Sequence, residues 1–426
     1  MLNKLSQILK IKDLRKNILY ILVMLVIVRI AAHIPVPGVN AEGLKSFFNG
    51  NQLLGLMNIF SGGGMENFSI IMLGVGPYIT SSIIFQLLTM VVPSLEELSK
   101  EGEYGRNKIN QWTRWLTVPL AILQAFAMIT LLRHSAGTAN IFPNFNSWTL
   151  ISAIITITAG TIFLMWIGEL ISEKNLGNGI SLLIFAGIVS SLPSVLTRSV
   201  FNYSQAEFIN MVVFAVIALV TIIGVVIVTE GQRNIPVSYA RQVRGNKMYG
   251  GASTHLPLRV NQAGVIPIIF AISIILFPPT IAQLFLKVNT AWIASAAQWI
   301  IQLFQNQLFY GAIYFILVVV FTYFYTAVIF HPDQVSENLQ KQGGFIPGIR
   351  PGKSTAEYLR NIISRINFSG AMFLGLVAVL PLITAQVTGT QNLVVGGTSL
   401  LIVVSVVIET VNQINAQLAM RDYEEI

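Results

Sequence analysis

The chain lacks cysteine altogether and is poor in charge. None of its 426 residues is cysteine, which excludes a disulfide framework, thiol catalysis and a cysteine-ligated metal. Only 10% of the residues are charged, whereas 54% are hydrophobic and the mean hydropathy is +0.69. Because a soluble domain has about 25% charged residues, this composition indicates a membrane protein.

The residue types that carry catalysis or ion coupling are few and scattered. The four histidines lie in different loops or span ends, without the spacing of metal ligands. Acidic residues lie at or near the ends of the apolar stretches, whereas ion-coupled transport usually needs carboxylates within the membrane. Residues 347–354 end in Gly-Lys-Ser but begin with proline where a phosphate-binding loop needs glycine. We therefore expect no enzyme activity, no metal and no cofactor, but a passive conduit driven by a partner.

Apolar stretches long enough to cross a bilayer make up most of the chain. A spanning helix needs about 20 mainly apolar residues. Ten such stretches lie at residues 18–37, 70–92, 114–133, 148–171, 179–197, 208–229, 264–286, 309–330, 367–388 and 395–416. The sequence thus predicts an all-α polytopic membrane protein with ten transmembrane helices. They divide into a first half, 18–197, and a second half, 208–416, joined by an outer connection at 198–207.

The distribution of Lys and Arg predicts how the chain is oriented. Of 26 such residues, only five lie away from the N-terminus, the even-numbered connections and the C-terminus: Lys45, Arg133, Arg198 and Lys287 on the other side, and Arg29 inside the first span. Cytoplasmic loops carry the basic excess, so both termini should be cytoplasmic. Residues 1–17 mix leucine and isoleucine with lysine and predict an amphipathic helix on anionic lipid, or else a plain positive anchor. Residues 417–426 form a short cytoplasmic tail.

Two connections on the basic side are unusually long, at about 230–261 and 331–366. Long ordered loops are usually functional, and the glycines and prolines here favour hairpins. Their basic residues would suit an anionic partner, either ribosomal RNA phosphate or an acidic protein surface. Alternatively, the charge serves only to set the topology.

The outer connection at residues 40–69 is irregular. Its apolar part, 53–60, is too short to span a membrane and is followed by Ser61 and three glycines. A short helix joined by glycines to a full span resembles a discontinuous or re-entrant segment, which is tolerated only beside protein or a water-filled cavity. An interfacial loop is the simpler alternative. A secondary transporter with a site at this broken segment, or an intramembrane enzyme, would need intramembrane carboxylates or a catalytic dyad that the sequence does not offer.

Five tracts, in order along the whole chain, resemble the bacterial SecY family, the large subunit of the Sec protein-translocation channel. They are Gly74–Ile83, Gly177–Ser181, Ser253–Asn261, Phe345–Gly352 and Gly396–Ile402. The resemblance implies two pseudo-symmetric five-helix halves around a central hourglass pore in the bacterial plasma (inner) membrane. It also implies a channel that passes unfolded secretory chains outward and releases transmembrane helices sideways, without energy conversion of its own.

The resemblance further implies roles for particular residues. A plug at about 55–66 would include Leu56, Met57, Asn58, Ile59, Phe60, Ser61, Gly62, Gly63 and Gly64. A pore ring would comprise Val75, Ile79, Ile180, Ile184, Ile269 and Ile402, although valine at 75 replaces the expected isoleucine. Such an apolar collar would exclude ions by dewetting, yet each of these residues taken alone is an ordinary core or lipid-facing aliphatic.

The implied lateral gate lies between spans two and three on one side and spans seven and eight on the other. Its residues would include Thr80, Ser81, Gln86, Ser273 and Phe277, and signal sequences would enter there. The serines could equally serve close helix packing. Docking of the SecA ATPase or the ribosome would use Arg241, Arg244, Lys247, Arg350 and Lys353. Two small membrane subunits, SecE and SecG, are the further partners implied.

Overall fold

The computed structural model describes most of the chain. The described residues are 11–37, 63–65, 67–135, 146–201, 205–239, 242–244, 247–249, 253–286, 290–388 and 394–424. Each of the ten predicted spans overlaps one helix: α1 (Lys12–Ala31), α2 (Gly76–Val91), α4 (Glu103–Ser135), α5 (Ser147–Ser172), α6 (Gly179–Phe201), α7 (Gln205–Glu230), α8 (Ile266–Phe285), α10 (Gln307–Ile329), α12 (Lys353–Thr388) and α13 (Val394–Glu424).

Among the described residues, three further helices lie between these: α3 (Pro93–Lys100), α9 (Ala291–Gln305) and α11 (Pro332–Lys341). In the described part of the chain, six helices are long and apolar enough to cross a membrane, and a seventh crossing is possible if α2 and α3, bent by 102°, count as one span. Helix α1 is not one of the six; it carries Arg15 and Lys16 before its apolar stretch and Arg29 in its last turn. The chain is a multi-pass membrane protein, as its composition predicted.

Helices α1 and α13 end at different residues from the spans predicted for them. The first span was predicted at 18–37, but α1 ends at Ala31. The ring of Pro35 would clash with the carbonyl of residue 31 in a continuing helix. Arg29 consequently lies in the last turn of α1, where the negative end of the helix dipole favours a cation. At the other terminus, α13 continues to Glu424, so most of the predicted tail is helical.

The helices pack as two groups that meet along two seams. In the first group, α5 contacts α1, α4 and α6, and α2 contacts α4. In the second, α12 contacts α10 and α13, while α8 contacts α10 and α7 contacts α13. The groups meet where α8 lies against α2 and α4, and again where α13 lies against α6. This is the arrangement of two five-helix halves that the sequence predicted.

The two long connections form one unit. Strands β1 (Gln232–Tyr239) and β4 (Ser253–Arg259) pair antiparallel, with Ile235 opposite Leu256, and confirm the hairpin expected for the first connection. Strand β5 (Gly344–Phe345) of the second connection pairs with the other edge of β1. The second connection is otherwise helical, because α11 precedes β5 and α12 already begins at Lys353. A small second ladder joins β2 (Gln242–Arg244) to β3 (Lys247–Tyr249).

A hydrophobic cluster fixes this sheet on the first turns of α12. Its buried members are Ile235, Val237, Leu258, Ile346, Leu359, Ile362 and Ile363. Alternate residues of β1 point into it, as the pleat of a half-buried strand requires. The two connections are therefore held by a common core against one end of the helical body.

Candidate functional site: an apolar ring and the seam beside it

Six aliphatic residues from both halves belong to one hydrophobic cluster at the centre of the helical body. Val75 precedes α2 and Ile79 lies in its first turn, while Ile184 lies in α6. Ile269 of α8 and Ile402 of α13 come from the second half. These five are at most 6% exposed, and Ile180 of α6 packs against them partly buried. All six residues predicted for the pore ring therefore lie in or against the same hydrophobic cluster, which joins the two halves.

The helix of the second span begins later than the predicted span, so that Val75 and Ile79, the two predicted ring residues, lie at its start. The predicted span started at residue 70, but residues 69–75 form consecutive turns, with the Met72 amide donating to Ser69 and the Gly74 amide to Ile71. Gly74 takes a φ of 59°, a left-handed conformation that favours glycine. Pro77 lies in the first turn of α2. Proline is tolerated there because amides in the first turn have no hydrogen-bond partner within the helix.

A cavity of about 80 Å³ lies at the seam between α2 and α8, directly beside the ring. Thr80, Ser273 and Phe277, three of the predicted gate residues, line it together with ring residues Val75 and Ile79. The Thr80 hydroxyl donates to the Gly76 carbonyl at 3.0 Å and the Ser273 hydroxyl to the Ile269 carbonyl at 2.9 Å. Both bonds stay within one helix, so the two helices can separate without breaking them.

Two other predicted gate residues lie away from this cavity. The buried Ser81 hydroxyl donates to the Thr113 carbonyl of α4 at 2.7 Å, which ties α2 to its neighbour in the same half. The Gln86 amide nitrogen donates to Ser82 one turn earlier, at 3.1 Å. The Gln86 side-chain oxygen is buried without a hydrogen-bond partner.

The cavity also contains residues that the sequence analysis missed. Gln124 of α4 and Thr280 of α8 add polar groups, and Met65, Met72 and Met128 add flexible apolar ones. Gln124 lies in the middle of the third apolar stretch, and a polar residue at such a position is itself a signal of function or of a specific contact. No comparable pattern distinguishes the methionines from ordinary core residues.

The predicted plug falls mostly outside the described residues, which include only Gly63, Gly64 and Met65 of the range 55–66. The amide of Ser69 donates to the Gly64 carbonyl at 2.8 Å, and Met65 is buried. Gly63 has a φ of 80°, and a Cβ placed on it would lie 3.8 Å from an Nη atom of Arg29. Arg29 therefore lies beside Gly63, near the end of the segment predicted to be the plug.

A second cavity, of about 210 Å³, lies within the first half. It is bordered by α1, α5, α6 and the turns before α2, and Val75 and Ile184 form part of its wall. Its lining is apolar except for Arg29 and Ser190. Val75, which also borders the seam cavity, is thus the one predicted ring residue that lines both cavities.

The predicted docking residues lie on the sheet-bearing end of the molecule. Arg350 is exposed at the turn before α12, and Lys353 is exposed at the first position of that helix. The Thr355 hydroxyl donates to the Arg350 carbonyl at 2.9 Å, and the Ser336 hydroxyl of α11 donates to the Gly352 carbonyl at 2.6 Å. These bonds fix the backbone of the turn and leave its two cations in solvent.

The basic residues predicted in the first connection are partly described. Arg244 and Lys247 occupy directly opposite positions of the β2–β3 ladder, whereas Arg241 lies outside the described residues.

Comparisons with known proteins agree with this architecture. The SecY family model matches residues 69–411. The protein translocase subunit SecY of Halalkalibacterium halodurans is 44% identical over 438 residues, covering 100% of this chain and 99% of the relative, and that of Streptomyces galbus is 43% identical with the same coverage.

Solved structures share the fold at low sequence identity. A protein-conducting channel superposes with a TM-score of 0.62 at 18% identity, covering 93% of this chain and 91% of the other. Sec61 from a canine ribosome-channel complex of the endoplasmic reticulum gives a TM-score of 0.59 at 17% identity, with the same coverage. The fold and the resemblance predicted from the five sequence tracts are confirmed. The chain belongs to the SecY family.

Proposed function

We propose that this chain is the protein-conducting subunit of a translocase, which passes unfolded secretory polypeptides across the plasma membrane and releases apolar helices sideways into lipid. One observation carries the proposal: the six aliphatic residues of the predicted ring, which come from both halves, all lie in or against a single buried hydrophobic cluster, and two cavities border it at Val75. A dry apolar constriction excludes ions by dewetting. It also offers no charge or hydrogen bond to which a passing chain could adhere.

The seam between α2 and α8 is the proposed lateral gate. A gate needs two states of similar free energy, and a ligand that binds only one of them shifts the population. Hydroxyls bonded within their own helices allow α2 and α8 to separate at low cost. The three methionines of the cavity can repack around apolar segments of varied sequence, which suits signal sequences.

The driving force is proposed to come from a partner that docks on the basic turns. The sheet-bearing end carries the exposed Arg350 and Lys353, so we place this end and both termini in the cytoplasm, where loops are basic. The SecA ATPase or the ribosome would dock there, the ribosome through RNA phosphate. SecE and SecG are the proposed membrane partners, residues 55–66 the proposed plug, and residues 1–17 the proposed contact with anionic lipid.

A stalled secretory chain tests the conducting path. We expect a photoreactive amino acid at position 402, in the ring, to cross-link to a chain trapped midway. The same group at position 316 should not, because Ile316 lies on the exposed face of α10. Cross-links are scored by the mass shift of the chain on a denaturing gel. Cross-linking from position 316 but never from position 402 would refute the central path.

Charge reversal at Arg350 tests the docking surface. We expect Arg350→Glu to abolish export driven by SecA in membrane vesicles, because the exposed cation would become a repulsive charge at the contact. Lys341→Glu is the matched control, since Lys341 is also exposed on the second connection but pairs with Glu337 at 2.8 Å, an interaction worth about 0.5 kcal/mol or less. Equal export by both variants would show that Arg350 is not part of the docking site. A ribosome-binding assay on the same variants would show whether the ribosome, rather than SecA, contacts Arg350.

A further inference from the structure

Helix α9 joins the ends of α8 and α10 on the face opposite the sheet. Strand β4 leads into α8 and α10 leads out to α11 and β5, so the connection between α8 and α10 lies at their far ends. Both helices are long and apolar enough to cross a membrane. Helix α9 packs against both of them, and the rings of Phe304 and Phe309 meet edge to face with centroids 5.6 Å apart.

The surface of α9 divides into three stripes. One stripe packs on the protein and includes Ala297, which is buried. The second carries Trp292 and Trp299, two turns apart and 73% and 62% exposed, with the exposed Ala296 between them. The third is polar and exposed, and consists of Ser295, Gln298, Gln302 and Gln305. None of the 15 residues of α9 is ionisable.

We infer that α9 is a lipid-binding helix that lies in the headgroup region of the membrane on the face opposite the sheet. Tryptophan is enriched at membrane–water interfaces because its ring is amphipathic. The tryptophan stripe faces lipid and the glutamine stripe faces water, as in helices that lie in the interface plane. The tryptophan stripe is continuous with the lipid-facing surface of α10, where Leu308 and Ile316 are exposed. This inference does not depend on the proposed function.

Two neighbouring residues provide a matched test. Ser295 lies on the polar stripe and Ala296 on the tryptophan stripe, and both are exposed in the free chain. Because the chain has no cysteine, Ser295→Cys and Ala296→Cys each introduce a single thiol. In lipid vesicles, we expect a membrane-impermeant maleimide to label position 295 and to label position 296 far more slowly. After denaturation in detergent and urea, both positions should be labelled fully. Equal labelling of the two folded variants would overturn the inference.

Fluorescence distinguishes lipid from a covering protein. The four other tryptophans are replaced by phenylalanine, leaving only Trp292 and Trp299. We expect their emission to lose more intensity to phosphatidylcholine brominated near the glycerol backbone than to lipid brominated at the chain ends. Protection of position 296 without any loss of emission to brominated lipid would mean that another protein covers the stripe, and would also overturn the inference. If the tryptophan variant fails to fold, labelling of the cysteine pair in vesicles that contain only this chain, at a high ratio of lipid to protein, makes the same distinction: loss of the protection of position 296 there would overturn the inference.

Discussion

Linking position 80 to position 277 is expected to stop the export of secretory proteins that we propose for this chain. Thr80 of α2 and Phe277 of α8 line the same cavity from opposite halves, so a short covalent link between them holds the seam closed. We expect Thr80→Cys with Phe277→Cys, joined by a short bis-maleimide, to abolish translocation of a preprotein in vesicles. The unlinked double variant should retain it. Because the chain has no other thiol, the effect belongs to this link alone.

A second pair from the same cavity supplies the control. Thr80 and Gln124 both line the cavity, but α2 and α4 belong to the same half and pack against each other. Thr80→Cys with Gln124→Cys, joined by the same reagent, should leave translocation nearly unchanged because opening does not separate these helices. Normal export through a fully linked 80–277 pair would show that the seam need not open. Equal inhibition by both pairs would mean that the reagent blocks the cavity by its bulk.

The helices were predictable because a bilayer leaves the backbone little choice. In lipid every amide and carbonyl must be paired internally, so apolar stretches of about 20 residues become helices. Their ends were less predictable, since they depend on single residues. Pro35 ends α1 six residues before the apolar stretch ends, and the turns around Gly74 delay the start of α2.

Contacts between distant segments could not be predicted from the sequence. Strand β5 has two residues and pairs with β1, about a hundred positions earlier. The pairing of β5 with β1 depends on tertiary packing, here on the hydrophobic cluster that includes Leu359. It could not be predicted because a strand of two residues is too short to show a periodic pattern. Helix α9 did carry a signal, because glutamines and isoleucines recur on separate faces of Ala291–Gln305. At 15 residues it is shorter than a span and was missed.

The ring shows the limit of residue-by-residue interpretation most clearly. Ile184, Ile269 and Ile402 have the same chemistry as any buried aliphatic, and only the resemblance to the family singled them out. The structure adds that all three are buried in one hydrophobic cluster that joins the two halves, and that Ile184 borders a cavity. Gln124, which no tract contains, joins the seam from α4.

Wetting the ring should make the resting channel leak ions. Ile184 and Ile402 are at most 1% exposed, and an asparagine at either position buries an amide. An unpaired amide costs about 1–3 kcal/mol in a protein interior, so water enters to satisfy two of them. We expect Ile184→Asn with Ile402→Asn to conduct ions across a planar bilayer without any translocating chain. The unmodified chain should show no such current.

Two controls separate wetting from general loss of packing. Ile184→Leu with Ile402→Leu conserves volume and apolarity, costs less than about 1.5 kcal/mol per swap, and should stay ion-tight. Val318→Asn buries the same amide in the same cluster, at a fully buried position of α10 outside the ring. This variant should have a lower thermal unfolding temperature but should not conduct ions. A leak from Val318→Asn equal to that of the ring variant would assign the seal to the whole cluster. An ion-tight ring variant that folds would contradict the proposal that the apolar character of the ring is what excludes ions.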